Sequence, residues 1–223
     1  MTSSLAFELK QRGVVIQTST QVRSLDMNGN QCTGATLFDG RRIAADATVI
    51  AAGAWSSQLG ATIQAPLPLT PLRRHLAVLQ PPVAIDRDSP VVWRLDDQIY
   101  FRPESGGILA SPCDETPAVA GDVSTDPEVL VALGQKLRRL APPLASSGVR
   151  RLWACQRTFA PDRRPVVGAD ARVQGLYWLS GLGGQGMSIG LGAGAVLAAA
   201  VCGEARDEIA RFSPERLLQQ RTV

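Results

Sequence analysis

Apolar positions alternate or cluster along most of this chain in a way that predicts a β-rich body flanked by helices. Residues 4–12 read as the end of a helix, and Gly13 suits its C-cap. VVIQ (14–17), QVRSLDM (21–27), CTGATLF (32–38) and RIAADATVIAAG (42–53) then read as successive strands. Asn28-Gly29 and Asp39-Gly40 are hairpin signals, because these residues accept the backbone of a tight turn. AWSSQLG, after Gly53, predicts one short helix. Proline density rises at 66–71 and again at 81–90, which marks a change of unit. RRHLAVLQ, VVWRL (91–95), QIYFRP (98–103) and GGILASP (106–112) continue as a β meander. Asp126 and Pro127 suit the N-cap and first position of a helix, with Leu130, Leu133, Leu137 and Leu140 at helical spacing. Residues 149–161 read as a long strand and 165–168 as a short one.

The pattern changes at GLYWLSGLGGQGMSIGLGAGAVLAAAVCG (175–203). Seven glycines fall between Gly181 and Gly194, and no charge occurs between Arg172 and Glu204. Gly181-Leu-Gly183-Gly184-Gln-Gly186 satisfies GxGxxG after a strand and before a helix. A dinucleotide-binding unit needs a second strand after that helix, carrying an acid for the ribose. The charged, polar tail that follows holds no such strand, so the ordinary dinucleotide reading fails. Three readings remain open. Gly186, Gly190 and Gly194 could be the packing face of a membrane helix, although the glycines, Gln185 and Ser188 argue against a stable span. The segment could be a small-residue core helix without a ligand. Or a glycine turn could feed a buried helix N-terminus whose free N–H groups face partial negative charge on a ligand.

Composition narrows the classes. At 45% hydrophobic and 19% charged the chain is an ordinary soluble type with enough apolar mass for a core. The net charge is only +3, and the arginine doublets are scattered without aromatic interleaving, so nucleic-acid binding is not expected. Cys32, Cys113, Cys155 and Cys202 lie far apart and His75 is the one histidine, so zinc is not expected either. The cysteines read as buried small hydrophobes, reduced in the cytoplasm. The opening MTSSLAFELKQRG lacks the apolar run of a secretory signal.

Three blocks carry a more specific signal: ADATVIAAGAWSSQLG (45–60), RLWACQRTFAPDRRPVVG (151–168) and the glycine segment. In order and spacing they resemble the D-amino acid oxidase and glycine oxidase-like flavoproteins, and YFRPESGGILASPCDE (100–115) resembles that family's substrate-domain hairpin. The resemblance covers residues 5 to 203. It implies an α+β fold of the D-amino acid oxidase type, with an α/β FAD-binding part and an antiparallel substrate domain. Residues 1–62 and 160–205 would form a partial FAD-binding domain, 63–159 the substrate domain and 206–223 a tail. Such enzymes begin with a strand–GxGxxG–helix unit that holds the ADP of FAD, and this chain starts after it. The chain is therefore expected to be a C-terminal portion, a shortened product or half of a split enzyme, completed by an N-terminal FAD-binding piece.

The resemblance also implies roles. The expected activity is FAD-dependent oxidation of the C–N bond of an amino acid or secondary amine, by hydride transfer to flavin. Arg157 would clamp the substrate carboxylate, with a surface arginine on a strand as the alternative. Here Cys155 and Thr158 flank it where relatives often place Gly and Pro. The N–H groups of Gly183, Gly184, Gln185, Gly186, Met187 and Ser188 would face the flavin where negative charge develops on reduction. Ala52 and Gly53 would let the backbone approach the ADP portion. Val22 matches an adenine-contacting position, or is a core valine. Tyr100 and Arg102 could reach the active site from the hairpin. His75 is not expected to act as a base, and Asp162 is expected to order the loop after Arg157. The rival classes are a non-catalytic remnant that binds no flavin alone and a small-residue membrane-anchored protein. The expected location is the cytoplasm, with peripheral inner-membrane contact through an electron acceptor left open.

Overall fold

A computed structural model describes residues 2–204 and 207–218. Helix α1 (Thr2–Gln11) leads into β1 (Val22–Asn28), β2 (Gln31–Leu37) and β3 (Arg42–Ala44), a three-stranded antiparallel sheet. β4 (Thr48–Ile50) ends at a 3₁₀ turn, Gly53–Trp55, which runs into α2 (Ser56–Ala61). β5 (Thr70–Gln80), β6 (Val92–Arg94), β7 (Ile99–Glu104), β8 (Gly107–Ser111), β9 (Thr116–Pro117) and, after α3 (Val129–Leu140), β10 (Gly148–Phe159) form the largest sheet. Its order is β10-β5-β8-β7-β6, with β9 pairing β5. β11 (Val166–Ala169) and β12 (Leu176–Ser180) are antiparallel, and β12 pairs β4 in parallel. α4 (Gly186–Val201) follows β12.

Two cores hold these elements. One gathers around Trp178, which is fully buried with Ile50, Leu67, Val166 and Leu176. Its indole Nε1 donates to Asp170 Oδ2 at 2.9 Å, so the ring carries no unsatisfied donor. Gly60 makes room for it: a Cβ there would lie 2.7 Å from Trp178 Cη2 and 2.7 Å from Ala65 O. The second core lies between the large sheet and α3, whose Leu133 and Leu137 are buried against Ala77, Leu79, Ile99 and Ile108. That burial follows from the leucine spacing of α3.

Several expected elements differ. Residues 14–17 form no strand, and Val14, Val15 and Ile16 stand exposed without a pairing partner among the described residues. A strand needs a neighbour to satisfy its backbone, and none is at hand. The expected strand over 42–53 is two, β3 and β4, broken at Ala45–Ala47. β3 turns back on β2, while β4 leaves to pair β12. Asp126 is not the cap of α3, which starts two residues later than expected, with Glu128 at its N-cap. The Asp126 N–H is taken by His75 Nε2 at 2.9 Å, while its carboxylate accepts from Glu128 N. The segment after 206 is not only polar: Pro214 and Leu217 are buried, and Leu217 joins the Trp178 core. Cys202 is exposed rather than buried.

Candidate active site

The parallel pair β4–β12 sets the geometry. Both strands point the same way, so the Ala52-Gly53 turn and the Gly181–Gly186 loop leave from neighbouring carboxyl ends. That is where open α/β sheets bind ligands. Ser56 Oγ and Ser180 Oγ, both buried, lie 2.6 Å apart and pin the two exits together. Gly53 (φ +53°) and Gly183 (φ +58°) turn in the left-handed region that favours glycine.

The glycine loop packs against β10. Gly183 N donates to Thr158 O at 3.0 Å. A Cβ at Gly183 would lie 2.6 Å from the Phe159 ring, and one at Gly184 2.6 Å from Arg157 Nε. The two glycines are thus required by the two β10 side chains beneath them. Beyond them the N–H groups of Gly184, Gly186 and Met187 have no backbone acceptor among the described residues. Those of Gly183, Gln185 and Ser188 are used internally, by Thr158 O, Leu182 O and Gln185 O. The expected set of six donors therefore reduces to three free ones. They sit at the positive end of the α4 dipole.

On the antiparallel β5–β10 pair, Cys155 faces Arg74 and Arg157 faces Leu72. Period-two alternation therefore puts Arg74, Arg157 and Phe159 on one face. This face, the glycine loop and β7 enclose a cavity of about 600 Å³, lined by Arg157, Tyr100, Gly183, Gly184, Gln185 and Ser188 among others. Trp93 and Tyr100 meet edge to face in its wall, with ring centroids 6.4 Å apart. Among the described residues the Arg157 guanidinium has no hydrogen-bond partner.

Three charged groups in this cavity were not singled out in the sequence: Arg74, Glu115 and Arg163. Glu115 Oε1 accepts from Arg74 Nη2 at 2.8 Å and from Arg163 Nη2 at 2.7 Å. The hydrogen bond from Arg163 is the largest influence on Glu115 and holds its carboxyl below the usual range, against desolvation, with Arg74 and Arg157 adding to the effect. Burial pushes the Cys155 thiol up, partly offset by Arg157 and Arg74. A signal for the two arginines existed, since each belongs to an arginine doublet. Nothing local tells which member of a doublet faces inward.

The other expected residues lie elsewhere. Arg102 does not line this cavity; two residues beyond Tyr100, it is held by Glu104 at 2.6 Å over another part of the sheet. Met187 is 64% exposed at the start of α4. Val22 and Ala52 line a second, mainly apolar cavity of about 740 Å³ with Phe38, Trp55 and Leu59. His75 is buried, its Nδ1 2.7 Å from Asp114 Oδ2 and its Nε2 on Asp126 N, with neither ring nitrogen free. Asp162 binds Arg164 N and the Arg216 side chain.

A cavity of free arginine and helix N-terminal N–H groups suits an anionic ligand. Sequence comparison decides the family: residues 1–200 match the FAD dependent oxidoreductase (DAO) family. The chain belongs to this family. It is 31% identical to a D-amino acid dehydrogenase of Xylella fastidiosa over 208 residues, 90% of this chain and 45% of that protein. It is 30% identical over 209 residues to the mouse mitochondrial pyruvate dehydrogenase phosphatase regulatory subunit, covering 87% of this chain and 24% of that protein. The chain thus spans less than half the length of these curated relatives. The crystal structure of L-proline dehydrogenase from P. horikoshii superposes with a TM-score of 0.86 at 22% identity, over 98% of this chain and 59% of that one. The fold is α+β and of the D-amino acid oxidase type. No helix among the described residues is long and apolar enough to cross a membrane, α4 being 16 residues against the roughly 20 a span needs.

Proposed function

We propose that this chain supplies the flavin-ring end and the substrate clamp of an FAD-dependent oxidoreductase acting on the C–N bond of an amino acid or secondary amine. One observation carries the reading. Arg157, with no hydrogen-bond partner among the described residues, lies against the glycine loop whose free N–H groups open α4. FAD, when bound there, would accept a hydride from the carbon bearing the amine, leaving an imine that hydrolyses.

The chain's own residues prepare that step. Arg157 would hold the substrate carboxylate and so fix which carbon faces the ring. The N–H groups of Gly184, Gly186 and Met187 would meet negative charge developing on the acceptor without reorganisation. Tyr100, Trp93 and Phe159 would exclude water from the reacting carbon. The Val22–Ala52 cavity would receive the adenosine portion. In this reading 1–62 and 160–205 belong to the FAD side and 63–159 to the substrate side.

The phosphates have no comparable cradle among the described residues, since the GxGxxG match opens α4 and no strand follows it. An N-terminal FAD-binding piece would supply one. Support for it comes from the unpaired edge of β4, the exposed Val14–Ile16 run and an open α4 face, where a Cβ at Gly190, Gly192 or Gly194 would meet nothing. The runner-up is a non-catalytic member of the family, favoured by the likeness to a phosphatase regulatory subunit.

Arg157→Ala in the flavin-loaded, reconstituted protein separates the two. Anaerobic mixing with amino acid substrates should show flavin retained and its reduction slowed at least about a hundredfold. Equal reduction by both proteins would remove Arg157 from the site.

A further inference from the structure

The charge in the Arg157 cavity is unbalanced. Arg74, Arg157 and Arg163 line it against the single carboxylate of Glu115. Glu115 spends one oxygen on two guanidinium groups, holding Arg74 and Arg163 side by side without neutralising both. Among the described residues Arg157 makes no hydrogen bond to that cluster.

Two details indicate that the Arg74–Arg163 pair is more than a brace. The Arg74 side chain is only 5% exposed, yet its Nε has no hydrogen-bond partner. That burial, with Nη2 on Glu115, fixes the Arg74 guanidinium in place and leaves its charge only partly offset. Arg163 holds φ +60°, a conformation rare outside glycine and asparagine, and lies 4.0 Å above the Phe159 ring. That ring and Glu115 hold the half-exposed guanidinium at the cavity wall.

We propose that this cavity selects amino acids bearing a second acidic group, with Arg157 holding one carboxylate and the Arg74–Arg163 pair the other. The inference rests on the carboxylate-clamp reading of Arg157 and adds the substrate class. A substrate with one carboxylate leaves the second cationic centre uncompensated in a partly desolvated space; one with two carboxylates matches both.

Two probes that differ by one carboxylate test this: N-(carboxymethyl)glycine and N-methylglycine, mixed anaerobically at low ionic strength with the flavin-loaded, reconstituted protein, their affinities read from the flavin spectrum at rising concentration. N-(carboxymethyl)glycine should bind at least about tenfold tighter. Arg163→Gln, a half-exposed position where folding is safe, should erase most of that preference while leaving N-methylglycine affinity and the melting temperature unchanged. Arg74→Gln, at a buried position, should also erase the preference, but with a lower melting temperature. Equal affinities for the two probes, or a preference that survives both substitutions, would overturn the proposal and leave the Arg157 clamp standing. Binding of neither probe would overturn the clamp and the proposal together.

Discussion

Gly184 lies so close over Arg157 that a Cβ on the glycine would sit 2.6 Å from the arginine Nε. The loop that opens α4 and the strand that carries the arginine are therefore fitted to each other at one residue pair.

Gly184→Ala should disturb that pair twice, by steric contact and by placing an L side chain at φ +89°. We expect about 1–3 kcal/mol of lost stability and weaker carboxylate binding, read from thermal melts and calorimetric titration. Gly190→Ala is the control. It is helical, and a Cβ there meets nothing, so it should stabilise the chain by about 0.5–1 kcal/mol. If Gly184→Ala matched the control in both measurements, the close packing of loop and strand would be wrong.

Asp170 should dominate part of the acid limb of stability. Its side chain is 0% exposed; burial opposes ionisation, yet bonds from the Arg172 side chain and backbone N–H and from Trp178 Nε1 hold its carboxyl below the usual range. A folded value below the unfolded one means the contribution is complete at neutral pH. It is lost as pH falls from about 4 through the depressed value. Asp170→Asn should cost about 3 kcal/mol at pH 7, with a shallower fall in stability on acidification. Denaturant melts at neutral and acid pH report both, and parallel acid limbs for the two proteins would contradict the assignment.

Gly60→Ala should fail to fold or lose about 1–3 kcal/mol, because its Cβ would press on both Trp178 and the Ala65 carbonyl. Trp178 fluorescence should report loosened packing around the indole. An unchanged spectrum and melt would show that the first core has slack at this point.

The sequence revealed β10, β12, α4 and the leucine face of α3, because each is fixed by its own periodicity and by local glycine or proline signals. It misread 14–17, where apolar residues suited to a strand have no neighbour to pair with. It merged β3 and β4, because which strand each joins depends on β2 and β12 and not on the residues between them. Arg157, Tyr100 and the glycine loop, which line one cavity, were legible as candidates through the blocks that carry the family resemblance. Arg74 and Arg163 were not: they come from separate segments and meet only through Glu115. Arg102 shares the period of Tyr100 along β7, but Glu104 draws it out over another part of the sheet.

On the proposed function, residues 183–188 and Arg157 complete a flavin site whose phosphate cradle lies outside the described residues. The most direct test is the visible absorption of the purified chain, alone and co-expressed with a GxGxxG-bearing N-terminal piece of a relative. A colourless chain alone and a yellow complex with flavin absorption bands are expected. A colourless product in both preparations, with both polypeptides folded and associated, would contradict that function.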